Sequence, residues 1–400
     1  MKKIIFSILT FSVCVLPMLA TNPVSTSMPA LTIAPDARSA GMGDVGVATS
    51  ADIHSQHWNP AKYAFINKVG GFSINYTPWL TSLGVDDINL AYVAGYYNMG
   101  DQKGALSASL NFFSMGEVQR INMYGEQFGD IVRPREWSLD VAYSRKLHEY
   151  VSMAVALRFL CSDLYNGQSD GGTDYKAAMT AAADVALYYR QPISLPMGES
   201  YLSAGLNLSN LGGKMTYDEI TQHFIPANMR LGIAYELPFN SYNKITATVE
   251  CNKMLVPTSY SKYGTDTLNG LPYMGISEYS EISSPKGWFM SFNDAPGYTD
   301  PNTLKEVSPL MEEFQEVQWG VGLEYAYNNM FFVRAGYSHE NFWKGNRRYA
   351  TLGVGFHYSM LELDLSYCIG NQQNPLNNTV RVSLALDFNE IKTMINNKKQ

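Results

Sequence analysis

Residues able to do chemistry are few in this chain of 400 residues, and they fall in three places. Near the start, Gly41-Met42-Gly43-Asp44-Val45-Gly46 has the G-x-G-x-x-G spacing that lets a backbone wrap a pyrophosphate. That use requires a strand before the glycines and a helix after them within one βαβ unit, and neither is evident. Glycines that let a segment pack tightly against a wall fit the run better. His54 and His57 lie three apart, so a helix would place both on one face as metal ligands. A stable site needs three or four ligands and no third is clear, so no metal is expected. His148, His223, His339 and His357 are scattered over turns, loops and one strand. No G-x-S-x-G elbow and no nucleophile–base grouping is present. No catalytic residue is assigned, and neither enzyme activity nor a cofactor is expected.

The second place is a set of charges spaced along alternating segments. Asp140, Arg158, Asp184, Glu250, Glu324, Arg334, Glu362, Asp364, Arg381 and Asp387 all fall on the polar side of their segments. Buried together, they would form charge-assisted hydrogen bonds. The third place is the stretch 254–316, with nine acidic residues against three lysines. Seven of its aromatics, Tyr260, Tyr263, Tyr273, Tyr279, Trp288, Phe289 and Phe292, are the candidate partner-binding residues. Aromatics held among prolines and glycines on a long loop suit a binding surface, and an acidic rim would steer a basic partner. The same residues would also suit a lid folded over whatever lies beneath, and the pattern leaves both open.

These residues need a scaffold, and the alternation supplies one. From Thr379 to Phe388 every second residue is apolar: Val380, Val382, Leu384, Leu386 and Phe388. A strand has a side-chain period of two, so one face is apolar and the other polar or small. Ten residues tilted by about 45° cross a bilayer core. The pattern recurs at 70–78, 88–97, 104–113, 136–146, 150–160, 180–190, 201–210, 227–237, 244–253, 317–327, 331–338, 348–358 and 360–368, giving fourteen strands. Connections alternate between long, such as 114–135 and 254–316, and short, such as 147–149, 328–330 and 359. An even count with this rhythm predicts an all-β, fourteen-stranded antiparallel barrel in an outer membrane, with short periplasmic turns and long external loops.

Composition agrees. The chain is 46% hydrophobic, yet its mean hydropathy is slightly negative, because a polar inner face dilutes the apolar outer one. Only 16% of residues are charged, fewer than the solvent faces of a large soluble sandwich would carry. The net charge of -7 goes with the expectation of no nucleic-acid partner. Residues 1–20 read as a signal peptide: Lys2-Lys3, an apolar run from Ile4 to Leu16, then Pro17 to Ala20. Cys161, Cys251 and Cys368 remain, an odd number on strands, so no disulfide framework is expected. Residues 21–69 are too few to fold alone and are expected to plug the lumen, which fourteen strands leave too wide to fill with side chains. The barrel then spans 70–388, and 389–400 form a periplasmic tail.

Residues in the plug and barrel also resemble a known family. Ser39-Ala40-Gly41-Met42-Gly43 followed by Asn59-Pro60-Ala61 looks like the hatch of FadL-type outer-membrane transporters. The resemblance is sharper to the PorV family of the type IX secretion system. It rests on Pro35 to Asp44, Ser55-Gln56-His57-Trp58-Asn59-Pro60-Ala61-Lys62, Asn207 to Gly213, Ile225-Pro226-Ala227, Gly322-Leu323-Glu324-Tyr325 and Arg334-Ala335-Gly336-Tyr337. Gly41, Gly43, Trp58, Asn59, Pro60, Glu324 and Arg334 are taken as the structural residues of hatch and lumen.

The resemblance implies a non-enzymatic component docking beside a SprA/Sov-type translocon barrel. It would bind secreted cargo by its C-terminal signal domain and deliver it to a PorU-type sortase that attaches it to surface lipopolysaccharide. A FadL-like channel for hydrophobic small molecules is the alternative. Both mature termini are then expected in the periplasm or lumen and the long loops outside the cell, with outer-membrane lipid or lipopolysaccharide as a further partner.

Overall fold

The computed structural model describes residues 22–388 except 81–84, 86, 101, 120–130, 168, 171–172, 269, 301–302 and 371–375. The expected signal peptide (1–20) and tail (389–400) therefore lie outside the described residues. Fourteen strands close into one antiparallel barrel, each paired with its sequence neighbours. They are β1 (Gly70–Pro78), β2 (Ile88–Asn98), β3 (Ala105–Met115), β4 (Arg135–His148), β5 (Val151–Asp163), β6 (Ala178–Leu195) and β7 (Gly198–Gly212). The second half is β8 (Asn228–Pro238), β9 (Asn243–Met254), β10 (Gln318–Tyr327), β11 (Phe331–His339), β12 (Arg348–Tyr358), β13 (Leu361–Gly370) and β14 (Val380–Asp387). Closure is made by β1 against β14, from Gly71 opposite Asp387 to Tyr76 opposite Val382. No described helix is long and apolar enough to cross a membrane; the chain crosses with strands.

Alternation decides the two faces. In β14, Val380, Val382 and Leu384 are exposed on the outer wall, while Arg381, Ser383, Ala385 and Asp387 are buried inside. The same holds in β5, where Val155, Leu157 and Phe159 face out and Ala154, Ala156 and Arg158 face in. One end of the barrel carries the short turns. Between β10 and β11 the three-residue connection 328–330 has Asn328 and Asn329 both at φ above +50°, and Met330 N–H donates to Tyr327 O at 3.0 Å to close the turn. The opposite end carries the long connections.

One strand pair runs further than the sequence pattern predicts. β6 and β7 stay paired as far as Leu195 opposite Gly198, beyond the expected ends at 190 and 201. Backbone ladder bonds continue there after the apolar alternation has stopped at Gln191-Pro192, so a side-chain pattern cannot register them.

Residues 22–69 lie inside. They contain two one-turn helices, α1 (Ala37–Ala40) and α2 (Ser55–Trp58), and two 3-10 helices, Pro29–Thr32 and Pro60–Phe65. The first described residues rise to the long-connection end, where Asn22 N–H donates to Trp343 O at 2.9 Å and Ser27 N–H to Phe224 O at 2.9 Å.

Candidate functional site

Two regions bring charged and aromatic side chains together: the hatch across the lumen, and the cap built by residues 255–317 at the long-connection end.

The hatch is held by glycines and ion pairs. Asp36 caps α1 by accepting from Ser39 N–H at 2.8 Å, and its other oxygen accepts from Trp58 Nε1 at 2.6 Å. That carboxylate fastens the two helices of the hatch to each other. Asn59 Nδ2 donates to Val47 O at 3.0 Å and to Leu187 O of β6 at 2.9 Å. Asn59 Oδ1 accepts from Ala61 N–H at 3.0 Å, and Pro60 opens the following 3-10 helix, where its missing N–H costs nothing. Asn207 Nδ2 of β7 donates to Trp58 O at 2.9 Å.

Close approach explains the glycines. Gly41 touches Gly353 of β12, and a Cβ on Gly41 would stand 3.0 Å from its Cα. Gly43 adopts φ +82° with the Tyr337 backbone against it, leaving no room for a side chain. The wall answers with its own glycines: a Cβ at Gly336 would overlap the Met42 carbonyl carbon and the Gly43 nitrogen.

Charge completes the clamp. Arg38 of α1 spans to Glu324 of β10 with two hydrogen bonds of 3.1 Å, and to Asp52 at 2.7 Å. Arg334 of β11 donates through Nε to the same Glu324 at 2.7 Å and through Nη1 to Asp364 of β13. Glu250 of β9 accepts from the N–H groups of Gly46 and Val47 at 2.8 and 2.9 Å, and pairs with Arg230, whose guanidinium lies 4.8 Å over the Trp58 ring. Arg158 holds Asp140 and Asp184 at 2.9 and 3.0 Å. Arg381, in contrast, is buried with none of its three nitrogens hydrogen-bonded among the described residues. The hatch lies between two cavities. One, of about 180 Å³, faces the long connections and touches Asp44 and Trp319; the other, of about 590 Å³, opens among the short turns beside Lys68 and Tyr150.

His54 and His57 do not form a metal pair with any third ligand among the described residues. His54 Nδ1 lies 3.2 Å from Ser73 Oγ, and His57 packs edge-on against Trp58 at 4.9 Å.

The cap divides its aromatics. Tyr279 and Trp288 pack on a buried cluster of Phe224, Leu255, Val256 and Met274, and Tyr279 Oη donates to Pro257 O at 2.9 Å. Tyr260 and Tyr273 meet edge-on at 5.5 Å. Tyr263, Phe289 and Phe292 are exposed, Phe289 at 78%. The cap holds three short helices: α3 (Ile276–Glu281) with Tyr279, α4 (Ser284–Met290) with Trp288 and Phe289, and α5 (Pro309–Gln315). Helix α5 is two-sided. Leu310, Met311 and Phe314 point outward at 69, 54 and 66% exposure, while Glu312 and Glu313, with Glu316 just beyond, are buried.

Those acids correct the expectation of an acidic rim. Lys253, at the end of β9, donates to Glu316 at 2.6 Å and Glu313 at 3.2 Å. Lys344 donates to Glu312 at 2.6 Å and Glu316 at 2.9 Å. Burial disfavours the Lys344 ammonium, but Glu316 and Glu312 outweigh it and hold its pKa above the ordinary lysine value. Asp294 is also buried. Burial, then repulsion from Glu316, pushes its carboxyl up to about 7 against the Thr258 N–H that favours ionisation. With four acids turned inward, the cap surface keeps Asp266, Glu278, Glu281, Asp300 and Glu306 against Lys262, Lys286 and Lys305. Its outer face is apolar more than acidic. Leu310 and Met311 escaped the sequence reading, although Ser308-Pro309 and the spacing of Leu310, Met311 and Phe314 carry the signature of a capped amphipathic turn.

A family model described as type IX secretion system protein PorV matches residues 18–261, more than half of the chain. The chain belongs to the PorV family. The matched part holds the hatch and strands β1 to β9, and it stops within the cap. No curated protein matches the chain in sequence. Among solved structures, the toluene transporter TodX of P. putida is 13% identical with a TM-score of 0.50, covering 89% of this chain and 98% of that one. A TodX mutant described as a monoaromatic hydrocarbon channel is 14% identical with a TM-score of 0.52, covering 88% and 99%. A Pseudomonas aeruginosa FadL homologue is 12% identical with a TM-score of 0.44, covering 92% and 100%. At these identities the two TodX structures show the shared barrel fold. The clamp is made by residues of the runs that carried the sequence resemblance, among them Asp36, Gly41, Gly43, Trp58, Asn59 and Asn207 within the matched part and Glu324, Arg334 and Gly336 beyond it.

Proposed function

We propose that this chain is a non-enzymatic carrier of the type IX secretion system in the outer membrane. It binds cargo proteins by their C-terminal signal domain beside a SprA/Sov-type translocon barrel and delivers them to a PorU-type sortase for attachment at the cell surface. Membership of the PorV family is the observation that carries this reading. The short turns then face the periplasm and the cap faces outward, as in other barrels of this kind. The cap presents Phe289, Leu310, Met311 and Phe314 as an exposed apolar surface of the type that protein partners cover.

A channel for hydrophobic small molecules is the second reading, supported by the likeness in fold to TodX. Paired charges around the hatch favour the carrier, since an apolar solute would have to pass Arg38, Glu324 and Arg334.

The test is purification of the full chain from gently solubilised outer membranes, followed by mass spectrometry. The carrier reading expects a very large barrel protein together with secreted proteins that share a C-terminal domain. Recovery of this barrel alone, with lipid or hydrocarbon in its lumen, would transfer the assignment to the channel.

A further inference from the structure

We propose that the cap contains a divalent-cation site formed by Asp294, Glu313 and Glu316, suited to a hard, oxygen-preferring ion such as Ca²⁺. One carboxylate oxygen from each of the three lies within 4.8 Å of the others. Two oxygens each about 2.4 Å from a single Ca²⁺ can be at most about 4.8 Å apart, so the spacing allows all three to reach one ion. The residues come from separate pieces of the cap: Asp294 follows α4, Glu313 lies in α5, and Glu316 follows it.

Two further observations are independent of the clustering. Asp294 has 0% exposure, and its Oδ1 has no hydrogen-bond partner among the described residues, while Thr258 N–H donates to Oδ2 at 3.0 Å. A buried carboxylate oxygen left bare is costly, and the carboxyl that carries it is grouped with Glu313 and Glu316. The local charge is also unbalanced. Asp294, Glu312, Glu313 and Glu316 meet two ammonium groups, those of Lys253 and Lys344. Four carboxyl groups thus meet two cations, and a divalent cation beside Asp294 would favour its ionised form. In the hatch clamp the excess is smaller, with Arg38 and Arg334 meeting Glu324, Asp364 and Asp52.

Ligand type selects the ion class. The cluster offers carboxylates and no thiolate or imidazole, which favours Ca²⁺ over zinc or copper. A cavity of about 200 Å³ borders Glu316 and Lys344, giving water a place to complete the coordination and the ion a route in. The bound ion would tie the turn after α4 to α5, and through Lys253 to the rim at β9. This inference stands apart from the carrier reading, because nothing in it depends on cargo or translocon.

The experiment uses the full chain in detergent after treatment with a chelator. Titration calorimetry with CaCl₂ is expected to give one site, and bound Ca²⁺ to slow trypsin cleavage at the exposed Lys286 and Lys305. Asp294→Asn is expected to weaken Ca²⁺ at least about tenfold, while Glu306→Gln, an exposed acid of the same cap, leaves it unchanged. No heat of binding to the wild-type chain at millimolar Ca²⁺ would overturn the proposal, whatever the variants do. So would an Asp294→Asn chain that resists trypsin without Ca²⁺ as well as the wild type does with it, since a neutral side chain would then suffice.

Discussion

The hatch and the cap are both assembled from buried ion pairs, yet they are built for different ends. In the hatch, Arg38 and Arg334 share Glu324 and reach on to Asp52 and Asp364, and glycines on both surfaces remove the space between them. In the cap, Lys253 and Lys344 draw three glutamates inward, and the apolar side chains of α5 are thereby left outside. Charge pairing in the first region fixes a plug; in the second it orients a surface. The contrast teaches that similar buried salt bridges say little about role until the opposite face of each element is considered.

The comparison breaks most visibly at Arg334. Replacement by Leu leaves Glu324 and Asp364 with an uncompensated buried charge, and a loss of about 3–5 kcal/mol is expected in urea unfolding of the detergent-solubilised barrel. A smaller change would mean that Arg38 alone neutralises the cluster. Next is Gly336→Ala, whose Cβ would overlap the hatch backbone at Met42 and Gly43. A cost of about 1–3 kcal/mol is expected, together with faster protease access to the hatch and an unaltered cap.

Asp218 offers a pH test outside the barrel wall. Its slight burial works against ionisation, but the N–H groups of Thr221 and Ile220 and the hydroxyls of Thr221 and Thr216 hold its carboxyl down to about 2. A folded pKa below the unfolded one means stability that is present above about pH 4 and is lost as the pH falls toward 2. Solvent screening keeps this below about 1 kcal/mol, and the Asp218→Asn chain is expected to show a flatter acid limb in the same pH series. The smallest stability change is expected on the cap. Leu310→Ser with Phe314→Ser alters exposed side chains only, so unfolding should shift within about 0.5 kcal/mol while recovery of partners falls several-fold. A folded variant that keeps all its partners would remove the cap's outer face from the account.

Much of the barrel was legible in the sequence because its signal is local. A period of two along eight to ten residues is set by neighbours in the chain, and it marks all fourteen strands, with β6 and β7 running on where backbone pairing outlasts the pattern. The role of Gly41, Gly43 and Asn59 was legible through the hatch motif. Their partners, such as Gly336, were visible only as parts of strands. The cap was not legible in the same way. Its acids counted together suggested a charged rim, but the lysines that draw them inward stand far off, Lys253 being 63 residues from Glu316 and Lys344 28 residues from it. Composition sums charge along a segment, whereas burial depends on pairing across the fold.

The most direct measurement places a photo-crosslinking residue at Phe314 on the cap and, separately, at Ile53 inside the hatch, in cells actively secreting. The account expects crosslinks from position 314 to translocon or cargo proteins, and from position 53 only within the barrel itself. Crosslinks to passenger molecules from position 53, with none from position 314, would contradict it and make the lumen the working surface.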